Sequence, residues 1–492
     1  MILFEKTFFP VINFDDSHAW EDLITLSREY LDESGLSRLK MALDGRCLSA
    51  IVEYEYIDKD YRDTFSNFHA KRFVTPPSRC VRLHFFQNHF SLENFDNTKP
   101  FYEGNKYLGY SVIRATRPNA VGRTFLSHTV RHDEESHICL CKEEVHILGE
   151  KITVEGFPFI SQDSDATVCA ESALWTILRY LSNRYASYSE TLPFQITELA
   201  ANYAQGGRVF PSTGLYSWQL AEALRLRSVS PLVYSRREYP TFDHLLYTYI
   251  ESGLPLLATV KDHVFVVFGH SSEFSGVVQE RGEWVFSSIF NQSLIVNDDN
   301  CFPYQSIWKD YRRGRPSLRS EYSLKDIDEF IVPLPERVFL PAEAAQAAIE
   351  NVISSEAGFK NSKILSESRD GVICRLFLTT GRAFKTKARE RGMGNEQVLK
   401  LYHQIPLPHF MWVCEFGIPS EYCQKFEVQG EILWDATRNA HEADGLIALH
   451  YPERITFDVG ASLNKPQRLS QIELEKHLPY PLFRSNLNPI SG

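Results

Sequence analysis

No stretch of the 492-residue chain stays apolar over the ~18 residues that a membrane-spanning helix needs. No helix is therefore expected to cross a bilayer. The first residues, Met1 to Phe14, are apolar but broken by Glu5, Lys6 and Pro10. They lack the basic start and unbroken apolar run of a signal peptide, so none is expected. Repeats and low-complexity tracts are absent, as are segments poor in apolar residues and rich in charge, so disorder is not expected. Positive charge is not in excess either. The net charge of −11 argues against a broad nucleic-acid surface. One basic stretch, Lys309, Arg312, Arg313, Arg315 and Arg319, includes Gly314 and Pro316 and reads as a solvated loop. A local site for an anion or a peptide tail is its other reading. Disulfide spacing is lacking too. The nine cysteines, at 47, 80, 139, 141, 169, 301, 374, 414 and 423, are odd in number and scattered. That pattern fits free thiols in a reducing compartment, and a cytoplasmic location is expected.

Material for packed cores is ample, with 43% hydrophobic and 13% aromatic residues. Charged residues, at 23%, are near the globular average. A chain of this length is expected to form two to four domains. Residues 1–150 alternate helix-like and strand-like segments. Helical periodicity covers Ala19 to Leu43, and strand patterns cover Ser49 to Tyr56, Cys80 to Gln87 and Tyr107 to Ala115. Residues 151–335 begin with strand-like segments, followed by an apolar helix at Val168 to Arg184. Two further helices follow, near Gln195 to Tyr203 and Ser217 to Leu226. Strands then follow at Leu254 to Val260, His263 to Gly269 and Leu294 to Asp298. Residues 336–492 read as another α+β unit, with a helix at Ala342 to Ser354. Its strands are Val372 to Leu378, His409 to Phe416 and Phe426 to Trp434.

The segment QDSDATVCAESALW, Gln162 to Trp175, passes from a polar loop into the apolar helix. Cys169 falls in the first turn of that helix. Unpaired N–H groups and the helix dipole there favour a thiolate, the nucleophilic form of cysteine. Gln162 precedes it by 169 − 162 = 7 residues, and its amide could join the Cys169 N–H as an oxyanion donor. Read plainly, this cysteine is a small core residue opening a helix. His263 begins the apolar run HVFVVFG after the strand GLPLLATV, at an open strand end from which it can reach the helix. A neutral imidazole there can take a thiol proton. Its plain reading is a strand-end histidine bonded to backbone. In SLIVNDDNCFPY a strand runs into Asn297-Asp298-Asp299-Asn300. Asp298 is the carboxylate chosen to hold the second ring nitrogen of His263. Asp299, if still on the strand, would face the other way. The plain reading of this segment is a solvated turn before Pro303.

QDSDATVCAESALW resembles the active-site segment of papain-like cysteine peptidases. It is most similar to the bacteriocin-processing branch, which cuts leader peptides after a double glycine. Gln162, Cys169, GLPLLATV, HVFVVFG and Asp298 match in that order over roughly a third of the chain. The resemblance implies a papain-like core, a helix followed by an antiparallel sheet; with the two flanking α+β units read from the strand and helix patterns, the chain is expected to be α+β. It implies that Cys169 attacks an amide, His263 moves the proton, Asp298 orients His263, and Gln162 stabilises the oxyanion. No cofactor and no metal are implied. The expected partner is a peptide or protein substrate, with the flanking domains open to a protein partner. Nucleic acid and membrane are not expected partners. A regulated role as an effector or defence protein suits such an architecture. The departures are Ala170 where glycine is common after the cysteine, and Asp299 where proline often follows the aspartate. The spacing 298 − 263 = 35 is long, and Ser271 to Gln292 reads as an inserted hairpin. No transporter region and no ATP-binding motif accompany the match.

The same triad also serves transglutaminase- or deamidase-like acyl transfer, and an inactive peptidase-fold scaffold is a third reading. Weaker signals remain. His132, His137, Cys139, Cys141 and His146 cluster without standard zinc spacing, and alternation would put both cysteines on one strand face. His270 reads as structural or as lining the cleft. Phe210 to Leu215 reads as a connector or a cleft wall. Trp412 to Glu415 and Trp434-Asp435 read as core packing or as a peptide groove.

Overall fold

The computed structural model describes residues 9–15, 18–28, 30–43, 45–89, 106–116, 120–131, 136–163, 169–201, 215–274, 284–309, 320–355, 358–362, 368, 370–391, 395–439, 445–459, 469–474, 478–484, 486 and 488–490. The protein is α+β, built on three large mixed-length sheets and a two-stranded ribbon.

The first sheet is antiparallel. Its strands lie in the order Val11–Asn13, Ser49–Tyr56, Cys80–Phe86, Tyr107–Ile113, Val121–Ser127, Glu150–Phe159 and Cys141–Ile147. The helical pattern over 19–43 forms two helices, His18–Leu26 and Glu33–Leu43. Arg28 takes a left-handed φ of 57°, and the Asp32 carboxylate accepts from Gly35 N at 2.7 Å, starting the second helix. The first sheet runs on through Phe159, past the boundary expected near 150. Leu148 and Gly149, both at positive φ, form the tight turn of a hairpin inside that sheet.

The central sheet is ordered Gln305–Trp308, Asn291–Asn297, His263–Ser272, Leu256–Val260, Glu329–Pro335 and Val229–Ser235. The long strand His263–Ser272 pairs with Leu256–Val260 over its first half and with Ser136–Ile138 beyond Gly269. A side chain on Gly269 would lie 2.5 Å from Ile138 Cγ2, so glycine is required at this crossing. Asn488–Ile490 adds on the other edge of Ser136–Ile138. The chain passes between sheets at Cys139 and Leu140. The single strand expected through both cysteines is therefore two strands, and both thiols are buried between the layers.

Among the described residues three helices pack on this sheet, Ser217–Arg225 against Val229–Ser235 at its edge and two others. Cys169–Arg184 is buried from Ala170 to Leu181, and its Arg179 is paired with Asp60 at 3.2 Å. Phe242–Glu251 lies between the central sheet and the third.

The third sheet is ordered Trp284–Phe286, Val372–Thr380, Phe410–Gly417, Gly430–Asp435, Leu446–Tyr451, Arg454–Asp458 and Leu469–Glu473. Its first strand comes from the insertion expected as a hairpin. Trp284–Phe286 runs parallel to Val372–Cys374, and residues 275–283 of the expected hairpin lie outside the described residues. The strand expected over 426–434 is split: Phe426 is left-handed (φ 57°), and Glu427–Val428 pairs with Tyr480–Pro481. Trp412 and Glu415 are buried in this sheet, so no groove forms around them. Between the second and third layers, Arg375 bonds Glu251 at 3.1 Å and Glu415 at 2.7 Å. Arg391 bonds Glu415 at 2.5 Å, and Phe483 N donates to it at 2.9 Å.

Candidate active site

Cys169 opens its helix and is partly exposed. Its backbone N–H belongs to the first turn, where helical partners are lacking. Ala170, next in the chain, is buried against the core and fixes the helix start.

His263 is delivered by a two-residue turn. Val260 pairs with His263 across Lys261 and Asp262, and Lys261 takes φ 53°. The imidazole therefore stands at the sheet end facing the helix start. It stacks on Tyr322 at 6.0 Å between centroids. Its Nε2 lies 2.9 Å from Asp298 Oδ1, and it also hydrogen-bonds the Cys169 side chain. With Nε2 held by the carboxylate, Nδ1 is left for the thiol. Burial opposes the charged ring. The bonds to Asp298 and Cys169 and the adjacent carboxylate charges outweigh it and push the pKa of His263 up to about 10.

Asp298 sits just past the strand Asn291–Asn297, and its Oδ1 also accepts from Asn300 N at 2.9 Å. The turn is anchored from the first sheet. Asn297 Nδ2 donates to Pro158 O at 2.9 Å, and Asn297 Oδ1 accepts from Tyr304 N at 2.9 Å. Tyr304 Oη in turn donates to Leu126 O at 2.8 Å. Asn297, Tyr304 and Tyr322 are positioning residues that sequence reasoning missed. The dense polar-aromatic run NDDNCFPY was the available signal.

Asp299 does not face away as strand alternation predicts. The strand ends at Asn297, so alternation no longer applies, and Asp299 Oδ1 lies 3.9 Å from His263 Nε2. Burial and the neighbouring Asp298 charge push its pKa up to about 7. Nε2 of His263 and the carboxylates of Asp298 and Asp299 lie within 4.8 Å of one another, a set that could hold a metal ion.

Gln162 is brought to the same turn. Its Nε2 donates to Asn300 Oδ1, and Arg114 holds the backbone beside it by bonding Ser161 O at 3.0 Å. Thr167 and Val168, which precede Cys169 in the sequence, lie outside the described residues, as do His132, Phe210 to Gly214 and Arg312 to Arg319.

Cys169 and His263 open on a cleft of about 930 Å³. Leu215, Tyr216, Arg236 and Glu329 are among its walls. His270 is not in it. That ring is buried, bonds Glu251 at 2.7 Å and stacks on His137 at 5.3 Å. All nine cysteines are unpaired. Among the described residues no helix is long and apolar enough to cross a membrane. Comparison of the sequence with protein-family models gives no match, and comparison with curated proteins gives none either.

Proposed function

We propose that the protein is a papain-like cysteine peptidase that cuts a peptide or protein substrate through a thioester on Cys169. The observation that carries this reading is that Cys169 and His263 line one open cleft, with the thiol acting on a ring whose Nε2 Asp298 holds at 2.9 Å. His263 Nδ1 takes the thiol proton, and the thiolate attacks the scissile carbonyl. The C–N bond breaks as the imidazolium returns that proton to the leaving amine. Water, deprotonated by the same ring, then hydrolyses the thioester. Asp298 holds the ring orientation and stabilises its charge throughout. The Cys169 N–H supplies one oxyanion donor. Gln162 is the second in this reading, since an amide nitrogen has two hydrogens and Asn300 engages one.

A helix followed by an antiparallel sheet, packed with the thiol at the helix start against the histidine strand, supports a papain-like core. The two outer sheets are suited to recruiting the substrate or a partner protein. Nine free thiols support a reducing compartment such as the cytoplasm.

The test is cleavage of an unfolded protein such as reduced casein by the full chain. Fragments from wild type and none from Cys169→Ala are expected. Ammonia release from glutamine without a chain cut would replace hydrolysis by deamidation. The pH profile gives a second check. The imidazolium acid is present below about pH 10 and is lost as pH rises through it. The alkaline limb of cleavage is therefore expected near pH 10. A limb near ~6.5, the ordinary imidazole range, would mean that the ring is not held by Asp298.

A further inference from the structure

Thiol chemistry needs one carboxylate on His263, and this site has two. The second, Asp299, is 5% exposed. Apart from its own backbone N–H, no donor among the described residues reaches either of its oxygens. Buried polar atoms in native proteins are satisfied almost without exception, and an unsatisfied one points to a missing water or ion. Its Oδ1 is aimed at His263 Nε2 from 3.9 Å, with Asp298 on the same nitrogen at 2.9 Å. The three donor atoms lie within 4.8 Å of one another, and small side-chain rotations would bring all three to the ~2.0–2.2 Å bonds of a zinc ion. One imidazole and two carboxylates suit Zn²⁺. Mg²⁺ favours oxygen ligands and retained water.

We infer that His263, Asp298 and Asp299 form an inhibitory Zn²⁺ site on the far side of the imidazole from Cys169. The metal takes the Nε2 lone pair, and the Nε2 proton of the imidazolium leaves to solvent together with any proton held on Asp299. The ring then carries its only proton on Nδ1. That nitrogen has no lone pair left for the thiol proton, and giving its own proton to a leaving amine would create an imidazolate. Two carboxylates balance the two charges of the ion. The inhibitory consequence rests on the peptidase reading given above, whereas the existence of the site does not.

The experiment titrates ZnCl₂ into the full chain carrying Cys169→Ala, so that the thiol cannot serve as a ligand. Calorimetry is expected to show one ion bound. Adding Asp299→Asn is expected to weaken that binding at least ~10-fold, the least that losing even an outer-shell partner of a ligand costs. Equal affinity in the two proteins would overturn the site. If the double variant does not fold, Co²⁺ in Cys169→Ala decides. Visible d–d bands without thiolate-to-metal charge transfer support a nitrogen–oxygen site. Charge-transfer bands in proportion to bound metal, or no bands at all, overturn it. Absence of binding leaves the peptidase reading intact. A wild type that binds Zn²⁺ but cleaves nothing under chelation would remove that reading instead.

Discussion

Replacing His263 with alanine is expected to lower kcat/KM for peptide cleavage by about 10⁴–10⁶-fold, the loss seen when one member of an interdependent triad is removed. The ring is held on Nε2 by Asp298 and acts on the Cys169 thiol, so in the peptidase reading its removal takes away both the base and the acid of the reaction. The fold should survive, because the ring's aromatic contacts, with Tyr322 and Phe265, lie at the sheet end and the ring is partly exposed. Circular dichroism and a melting curve would establish that. Asp298→Asn should behave differently. An amide oxygen can still accept from Nε2–H, so orientation is kept while the charge is lost. The expected result is a smaller fall in rate and an alkaline limb moved below about 10. A His263→Ala protein within tenfold of wild type would end the triad assignment.

Glu415→Ala is expected to destabilise the protein by about 3–5 kcal/mol, the penalty for stranding buried charge. Glu415 is fully buried and accepts from Arg375, Arg391 and the Phe483 N–H. Two guanidinium groups would then share what remains, Glu251 at 3.1 Å and Glu431 at 3.5 Å. Urea unfolding of the full chain measures the loss. A loss under about 1 kcal/mol would mean that water solvates the cluster in solution.

Local signals in the sequence were read well where one element makes its own pattern. The apolar helix beginning at Cys169, the alternation of Ser49 to Tyr56 and the helix Ala342–Ser354 need only neighbouring residues to declare themselves. The elements that carry Cys169, His263 and Asp298 were legible for the same reason. A thiol at a helix start, a histidine after a two-residue turn and an acid at a strand end are each local features. Features set by distant partners were hidden. Trp284–Phe286 is a strand only because Val372–Cys374 lies beside it. The orientation of Asp299 depends on where Asn297 is stapled to Pro158, a contact from another sheet. The burial of Glu415 could not be told from a solvated acid until Arg375 and Arg391 were found around it.

The strand Asn488–Ile490 closes the edge of Ser136–Ile138, which itself pairs with the strand carrying His263. On a ribosome these partners appear far apart in time. At roughly 5–20 residues per second, the 488 − 138 = 350 intervening residues take roughly 20–70 s to emerge. Throughout that interval the 136–138 edge is an unpaired template of the kind that draws in foreign strands. Nascent chains of this protein are thus most vulnerable to aggregation late in translation, when the central sheet is nearly built and still lacks its last strand.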